Sequence, residues 1–581
     1  MSGGSPVKPE KNGQVPALAA SPPQGFLQIA FAGHNRASDL GDPEAAEAAV
    51  ADTFALLSAA GVVRARLLTG MALGADVLAA RQWRRAGLGP VQAVFPFLTD
   101  AAPDGASDLI DSGTWLDGEA TRALGRNPHL AQTQWMIGGA DLLVVIWTGE
   151  HARGAGGTAD AVRLALEQGI PVLWIRPGEP GPPQIIQPAY LDEDFGFLEF
   201  LDELRLDRAP LVQDATPSTL RLALLDLGLV GEAPASAAEP DAEDATEGAA
   251  APRIMLVWRT YALFRRVLGG KAAPFEARTP PPDLQAQPGF VALTRARREA
   301  GRRAQELGAV HRSHQVILLG VAILAAVAGS ASAVWPHLKL AMVSIELALA
   351  LGALAVWLDS ERGERHHRWG DARKLAEELR LERAAWTLGV STLPQGAGLH
   401  GKSVARDLRR AVGLPQGAFD AARVAAWGGW AIDELFAGQA AYHRDQSRIN
   451  GRISHRVHQL ENTSFAILLL ILLSYVVTAI TSKLTGGHTP HWLGGVVIMA
   501  GAIVPAIGAA CLALEATLSL GDQARRSQVL FERLQALGAE LGPSPSLQRL
   551  QSAVRAAIRL ERLQEEHWSE EASRRRLFRG G

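Results

Sequence analysis

Three short segments carry residue types suited to holding a phosphate: Gly33-His34-Asn35-Arg36, Thr69-Gly70-Met71-Ala72-Leu73-Gly74-Ala75-Asp76 and Gly154-Ala155-Gly156-Gly157-Thr158-Ala159-Asp160. Glycine has no Cβ, so its backbone N–H can approach an anion closely. A helix that starts just after such a loop adds the positive end of its dipole. Gly33, His34, Arg36, Thr69, Gly70, Gly74, Asp76, Gly156, Gly157 and Thr158 are the candidate ligand-binding residues. Gly149, which opens the third loop, joins them. Asp76 at a helix start is read either as a dipole partner or as an acceptor for a ribose hydroxyl. His34 is read as a hydrogen-bonding group, with general-base chemistry as the alternative.

These loops need a frame that brings them to one edge. Leu27–Ala32, Arg64–Leu68, Val91–Phe95, Asp141–Trp147 and Pro171–Ile175 are short β-rich runs. They alternate with helical patterns at Pro43–Ala60, from the TGMALGAD turn through Arg85, and at Ala159–Gln168. This alternation predicts an α/β domain with a parallel sheet over Gly25–Gly231. In such sheets a ligand lies outside the carboxyl ends of the strands. Three glycine turns, after the first, second and fourth of these runs, fall there.

The set GHNR, TGMALGAD, VFPF, ADLLVVIW and GAGGTAD, in this order, resembles the SLOG superfamily of DprA-like and LOG-like Rossmannoid domains. The resemblance covers about Gly25–Pro177 and weakens over Gly178–Gly231. It implies a Rossmann-like fold and a nucleotide-derived ligand, and places the residues named above in the pocket. LOG-type hydrolases carry a catalytic glutamate three residues after the loop threonine. Here that position is Ala161, and Asp160 stands one residue early. A sensor is therefore expected in preference to an enzyme, with no catalytic residue and no cofactor.

The second half of the chain is of another kind. Val316–Trp335, Leu340–Leu358, Thr463–Ser482 and Trp492–Leu514 are apolar runs of bilayer-spanning length. They pair into two hairpins through the connectors Pro336–Lys339 and Lys483–His491. Arg295, Arg297, Arg298, Arg302, Arg303 and Arg312 precede the first run, and Arg362, Arg365, Arg368 and Arg373 follow the second. Arg444, Arg448, Arg452 and Arg456 precede the third, and Arg525 and Arg526 follow the fourth. By the positive-inside rule both termini lie in the cytosol and the protein is multi-pass in the inner (cytoplasmic) membrane. Glu346 is the clear carboxylate deep in a span, read as a pore-lining residue or as a packing residue. Each hairpin has a basic helix before it and a charged amphipathic helix after it, which reads as one unit used twice. These units resemble SLATT modules, two-span elements that accompany SLOG or nucleotide-synthesising domains in prokaryotic conflict systems. That resemblance implies pore formation or membrane disruption after a nucleotide signal binds.

The expected organisation is a disordered tail (1–24), the nucleotide-binding domain (25–231), a linker (232–251), and an amphipathic helix with linker (252–288). The first two-span unit (289–389), a connector (390–416), the second two-span unit (417–544) and a C-terminal helix (545–581) follow. Within 252–288, Ile254–Leu268 reads as a basic amphipathic helix on the inner membrane face. The tail has no apolar core and does not read as a signal peptide. A net charge of −3 over 581 residues gives no pull toward nucleic acid, and Cys511 as the sole cysteine excludes an internal disulfide and a cysteine-based zinc site. The expected partners are a nucleotide-type small molecule, the lipid bilayer, further copies of the chain and an enzyme that makes the nucleotide signal; no metal is expected. The alternative is a membrane-anchored hydrolase of a nucleotide or its N-glycosidic bond. A transporter is a third reading, disfavoured by the few polar residues in the spans.

Overall fold

The structure is a computed structural model. It describes residues 27–34, 40–151, 154–179, 181–187, 211–226, 259–271, 273, 278–362, 365–390, 404–486, 488–542 and 545–577. The chain divides into two compact units, Met1–Ala250 with Gln287–Ala292 and Gly389–Ala421, and the remainder.

The first unit is built on a sheet that has nine strands among the described residues. These are β1 (Leu27–Gly33), β2 (Ala65–Thr69), β3 (Val91–Phe95), β4 (Ser112–Leu116), β5 (Leu142–Ile146), β6 (Val172–Ile175), β7 (Gln184–Gln187), β8 (Leu211–Asp214) and β9 (Gly417–Phe419). Their order is β8-β7-β6-β5-β1-β2-β3-β4-β9. The five runs expected to be strands are β1, β2, β3, β5 and β6. They are largely apolar and buried, as central strands of a covered sheet are: every residue of β3 and β5 is buried. Helix α1 (Pro43–Ala59) starts on Asp42, whose side chain accepts from the Glu44 N–H, with Pro43 next in line. It buries Val50, Phe54 and Leu57. Phe54 meets Trp83 of α2 (Ala75–Ala86) edge-on at 5.1 Å.

The sheet is mixed, not wholly parallel. β7 runs antiparallel to β6, and β8 antiparallel to β7. The eight residues between β6 and β7 are too few for a helical crossover, so the chain can only turn back. β4 also went unread in the sequence, because Ser112-Gly113-Thr114 breaks its apolar run.

The segment Gly389–Ala421 lies in this first unit, although it follows the first apolar hairpin in the chain and precedes the second. Its strand β9 pairs parallel with β4. Its helix α12 (Val404–Val412) and the residues after it satisfy polar groups buried in the sheet. Gln92 exchanges two hydrogen bonds with Leu414, at 3.0 and 3.2 Å. The Thr114 hydroxyl donates to the Pro415 carbonyl at 2.6 Å, and the Gln28 side-chain amide donates to the Arg410 carbonyl. Arg410 Nε donates to Asp141 Oδ1 at 2.8 Å, while Asp141 Oδ2 accepts from the Gln28 N–H at 2.9 Å. Both charged side chains of that pair are under a tenth exposed.

The second unit is helical. It contains α7 (Thr260–Gly269), most of α9 (Pro288–Val334), α10 (Lys339–Arg362), α11 (Arg365–Thr387), α13 (Ala421–Ile432), α14 (Gly438–Thr485), α15 (His491–Leu518), α16 (Leu520–Ala539) and α17 (Leu547–Leu577). Four of its helical stretches are long and apolar enough to cross a membrane, and they contain the four runs read from the sequence except Trp335, which falls in the turn after the first. The long helices α9 and α14 have 47 and 48 residues, each continuing unbroken from a basic, polar sequence into an apolar one. Short turns then return the chain through α10 and α15. One π-helical turn, Asp433–Ala437, joins α13 to α14. Its Glu434 takes Arg383 of α11 at 2.7 Å and Arg297 of α9 at 3.3 Å. Arg380 pairs with Glu377 at 2.8 Å and with Glu561 of α17. The first half of α17 buries Leu550, Val554, Ala557 and Ile558 in this unit.

The Asp141–Arg410 pair yields a prediction. Arg410→Ala leaves a buried carboxylate without its cation, and loss of one partner of such a pair costs about 3–5 kcal/mol. Thermal unfolding of the full chain in a neutral detergent should show a clear fall in midpoint. A variant as stable as the parent would mean that Asp141 is solvated and that the segment docks without this pair.

Candidate functional site

β1 and β5 are neighbours, and the chain departs to opposite sides of the sheet from them, which makes their carboxyl ends the topological switch point. Gly33 ends β1 and His34 follows it. Thr69 ends β2, Gly70 follows, Gly74 is the cap of α2 and Asp76 stands in its first turn. Gly149 follows β5. Gly157 caps α5 (Thr158–Glu167), of which Thr158 is the first residue. All of these sequence-selected residues therefore sit at carboxyl strand ends or at the helix starts that follow. Arg36 lies outside the described residues.

His34 joins three loops. Its carbonyl accepts from the Ala75 N–H at 3.3 Å, which ties it to the start of α2. Its Nε2 accepts from the Thr148 N–H at 3.4 Å, which ties it to the loop after β5. Gly33 is required beside it: a Cβ there would lie 2.4 Å from the Ala75 Cβ. The absence of a side chain lets the end of β1 approach the helix start.

The second loop is strained and locally held. Met71 has φ of +51°, uncommon for a residue with a Cβ. Its N–H donates to the Thr69 hydroxyl at 3.2 Å. Asp76 Oδ2 accepts from the Ala72 N–H at 3.2 Å, and the carboxyl is also bonded to Thr69 and to the Gly70 backbone. Burial dominates its ionisation, so the pKa is pushed up to about 7 in spite of these hydrogen bonds. Asp76 thus serves the shape of its own loop.

In the third loop, Gly156 has φ of +86°, and a Cβ there would lie 2.4 Å from the Leu130 nitrogen. The Gly156 N–H donates to Asp160 Oδ2 at 2.8 Å, and Asp160 Oδ1 takes Arg163 at 3.3 Å. Both oxygens of Asp160 are engaged in holding the loop and the first turns of α5. Ala161, at the position of the LOG-type glutamate, is 1% exposed and packed in the core, with no room for a carboxylate.

Helix α4 (Pro128–Ile137) frames two of these loops and was not anticipated. Gln132 donates to the Val94 carbonyl at 2.6 Å, and its amide lies 2.8 Å from where a Gly70 Cβ would stand. Thr133 reaches the Gly156 carbonyl at 3.4 Å. The signal was present as Asn127-Pro128: Asn127 accepts from the His129 and Leu130 N–H groups at 2.8 and 3.1 Å, with proline at the first helical position. Among the described residues no cluster of three or more His, Cys, Asp or Glu is placed to hold a metal ion.

In the second unit, Glu346 of α10 is half-buried and faces Gly329 of α9; a Gly329 Cβ would stand 3.4 Å from its Oε1. Glu515, near the end of α15, has a structural duty. Its Oε1 accepts from the Gly521 N–H at 2.8 Å, across the break where Ser519 takes φ of +47°.

Asp76 makes stability depend on pH in a defined direction. Its ordinary value is 3.8 and its folded value about 7. Between these the folded chain keeps a proton that the unfolded chain has released, so stability falls as pH rises from about 4 to about 7. Asp76→Asn removes this slope, a difference of a few kcal/mol across that window. The pH dependence of the thermal midpoint in both proteins tests this; parallel curves would show that Asp76 titrates normally.

Comparison of the chain with protein-family profiles, with curated proteins and with solved structures gave no match in any of the three.

Proposed function

We propose that this chain is a nucleotide-signal sensor coupled to a membrane effector, in which a ligand at the switch point of the α/β unit triggers pore formation or membrane disruption. The observation that supports this reading most is the path of the chain. Gly389–Ala421, the stretch between the two apolar hairpins, is built into the α/β unit through β9 and Arg410. It leads covalently to α11 at one end and to α13 at the other. A ligand that binds two arrangements of the sheet unequally can therefore bias both hairpins through one segment. The glycine loops at the strand ends, His34 at their junction and the SLOG resemblance favour a nucleotide-derived ligand. The SLATT resemblance and the paired long helices favour the membrane role in prokaryotic antiphage or conflict defence, with an enzyme that synthesises the signal as a functional partner.

Arginine placement around the spans favours the inner membrane with both termini cytosolic. At most 22% of any apolar window is buried within the chain, so lipid or further copies must cover the rest. Four spans with one deep carboxylate make a poor polar path alone, which favours a homo-oligomeric pore with Glu346 near its lining or its packing seam. The alternative, a membrane-anchored nucleotide or N-glycosidic hydrolase, would draw on Asp76 and Asp160. Both carboxyls are already committed to loop hydrogen bonds, which weighs against it.

Calorimetry of the full chain in detergent against a nucleotide panel, with chromatography of the ligand afterwards, tests the sensor. An intact nucleotide should bind, and His34→Ala should weaken it roughly fivefold, the worth of one lost hydrogen bond. Dye release from liposomes carrying the protein should require that nucleotide. Glu346→Gln should change the release rate and leave binding unchanged. Ligand breakdown would move the protein to the hydrolase reading, and release that ignores every nucleotide would remove the coupling.

A further inference from the structure

The second unit holds a cavity of about 390 Å³ that is remote in sequence from the glycine loops. Its lining includes Tyr261, Arg265, Arg266, Lys271 and Arg312, with no carboxylate. Elsewhere in this unit buried arginines stand against acids, as Arg380 does with Glu377 and Glu561, and Arg383 with Glu434. Here the four cations make no ion pair among the described residues. Arg265 donates to the neutral Gln446 at 3.0 Å. Arg312 donates to the Gly308 carbonyl at 3.0 Å, with its guanidinium 4.9 Å from the centre of the Tyr261 ring and 5.5 Å from that of Trp369. Four like charges around one small space repel one another, and an anion in that space relieves the repulsion.

The surroundings indicate where such an anion comes from. Helix α7 packs Tyr261, Phe264 and Leu268 on a cluster that includes Ile449, Ile453 and Val457 of α14, together with Val316 and Leu319 of α9. Arg456 fixes the end of α7 by donating to the Val267 and Leu268 carbonyls, each at 3.0 Å. On its other side α7 leaves Leu263 and Val267, one turn apart, 64% and 63% exposed. Arg312 precedes the apolar run that begins at Val316 by four residues, about 6 Å along the helix. A helix fixed at the start of an apolar span, with an exposed apolar pair beside a cationic cavity, suits the level of lipid headgroups.

We propose that this cavity binds the phosphate of an anionic phospholipid headgroup through Arg265, Arg266, Lys271 and Arg312. Tyr261 holds Arg312 in place by its ring face, and Leu263 with Val267 meets the acyl region. The site is distinct from the nucleotide pocket and rests only on the assignment of the four apolar helices to a membrane.

The test uses the full chain in a neutral detergent. Native mass spectrometry reads retention of dioleoylphosphatidylglycerol against dioleoylphosphatidylcholine, and thermal unfolding reads protection by each lipid and by inorganic phosphate alone. Phosphatidylglycerol should be retained in preference. Arg266→Gln and Lys271→Gln should each weaken it roughly fivefold, the worth of one basic contact at a membrane surface, and Arg312→Gln at least as much. Because Arg312 is packed among rings, the two surface variants carry the test if it fails to fold. Arg533→Gln, exposed on α16, should keep the preference. Equal retention of both lipids, or an equal loss in Arg533→Gln, would overturn the site. Protection by inorganic phosphate through the same residues, with no lipid preference, would overturn the lipid source and assign the cavity to a soluble phosphate. Alkaline carbonate extraction of cell membranes separates these outcomes from failure of the membrane assignment, because a protein released by carbonate is not spanning at all.

Discussion

The buried pair between Asp141 and Arg410 sets the path of this chain. A carboxylate under a tenth exposed, at the start of a central strand, has to find a cation, and that cation lies 269 residues away. Meeting it brings α12, β9 and the turn between them onto the sheet. Around it, Gln28, Arg66, Gln92 and Thr114, on four neighbouring strands, all bond to residues 410–415. Without that segment these polar groups would be buried and unsatisfied, which a sheet of this kind cannot tolerate. The α/β unit is therefore complete only when the chain has already passed through its first apolar hairpin.

The candidate site occupies the other, carboxyl ends of the same strands. Its loops are shaped by their own side chains: Asp76 holds the turn after β2, Asp160 holds the turn before α5, and α4 braces both. Two carboxylates that look available for catalysis in the sequence are thus consumed in loop geometry. What these loops leave uncommitted to their own shape is chiefly backbone, an arrangement suited to holding an anion by N–H groups more than to moving protons.

The membrane half follows a different physics. Its apolar windows bury little within the chain, as helices long and apolar enough to cross a membrane would. Specificity in this unit comes from polar contacts outside the apolar windows, where Glu434 on a π-helical turn gathers Arg297 and Arg383, and Arg380 reaches Glu561. The four cations lining the cavity at α7 make no such pair among the described residues.

Five strands, the helices α1, α2 and α5 and the four long apolar helices were legible in the sequence, because each is fixed by a local pattern: a buried apolar run, a glycine turn with a helix start, or an uninterrupted apolar stretch. The glycine positions were legible for the same reason, since Gly33 and Gly156 are demanded by close approach and by φ. The antiparallel β7, the broken strand β4 and the docking of residues 389–421 were not. Each depends on a partner far along the chain, and local patterning carries no record of the partner's position. Gln28, Gln92 and Thr114, polar residues inside apolar strands, were the one local trace that a distant segment was due. Sequence alone determined that the chain has an α/β half with glycine turns at its strand ends and an apolar helical half. Only the tertiary structure decided that the segment between the hairpins belongs to the sheet, because a buried charge is satisfied by proximity in space and not by proximity in sequence.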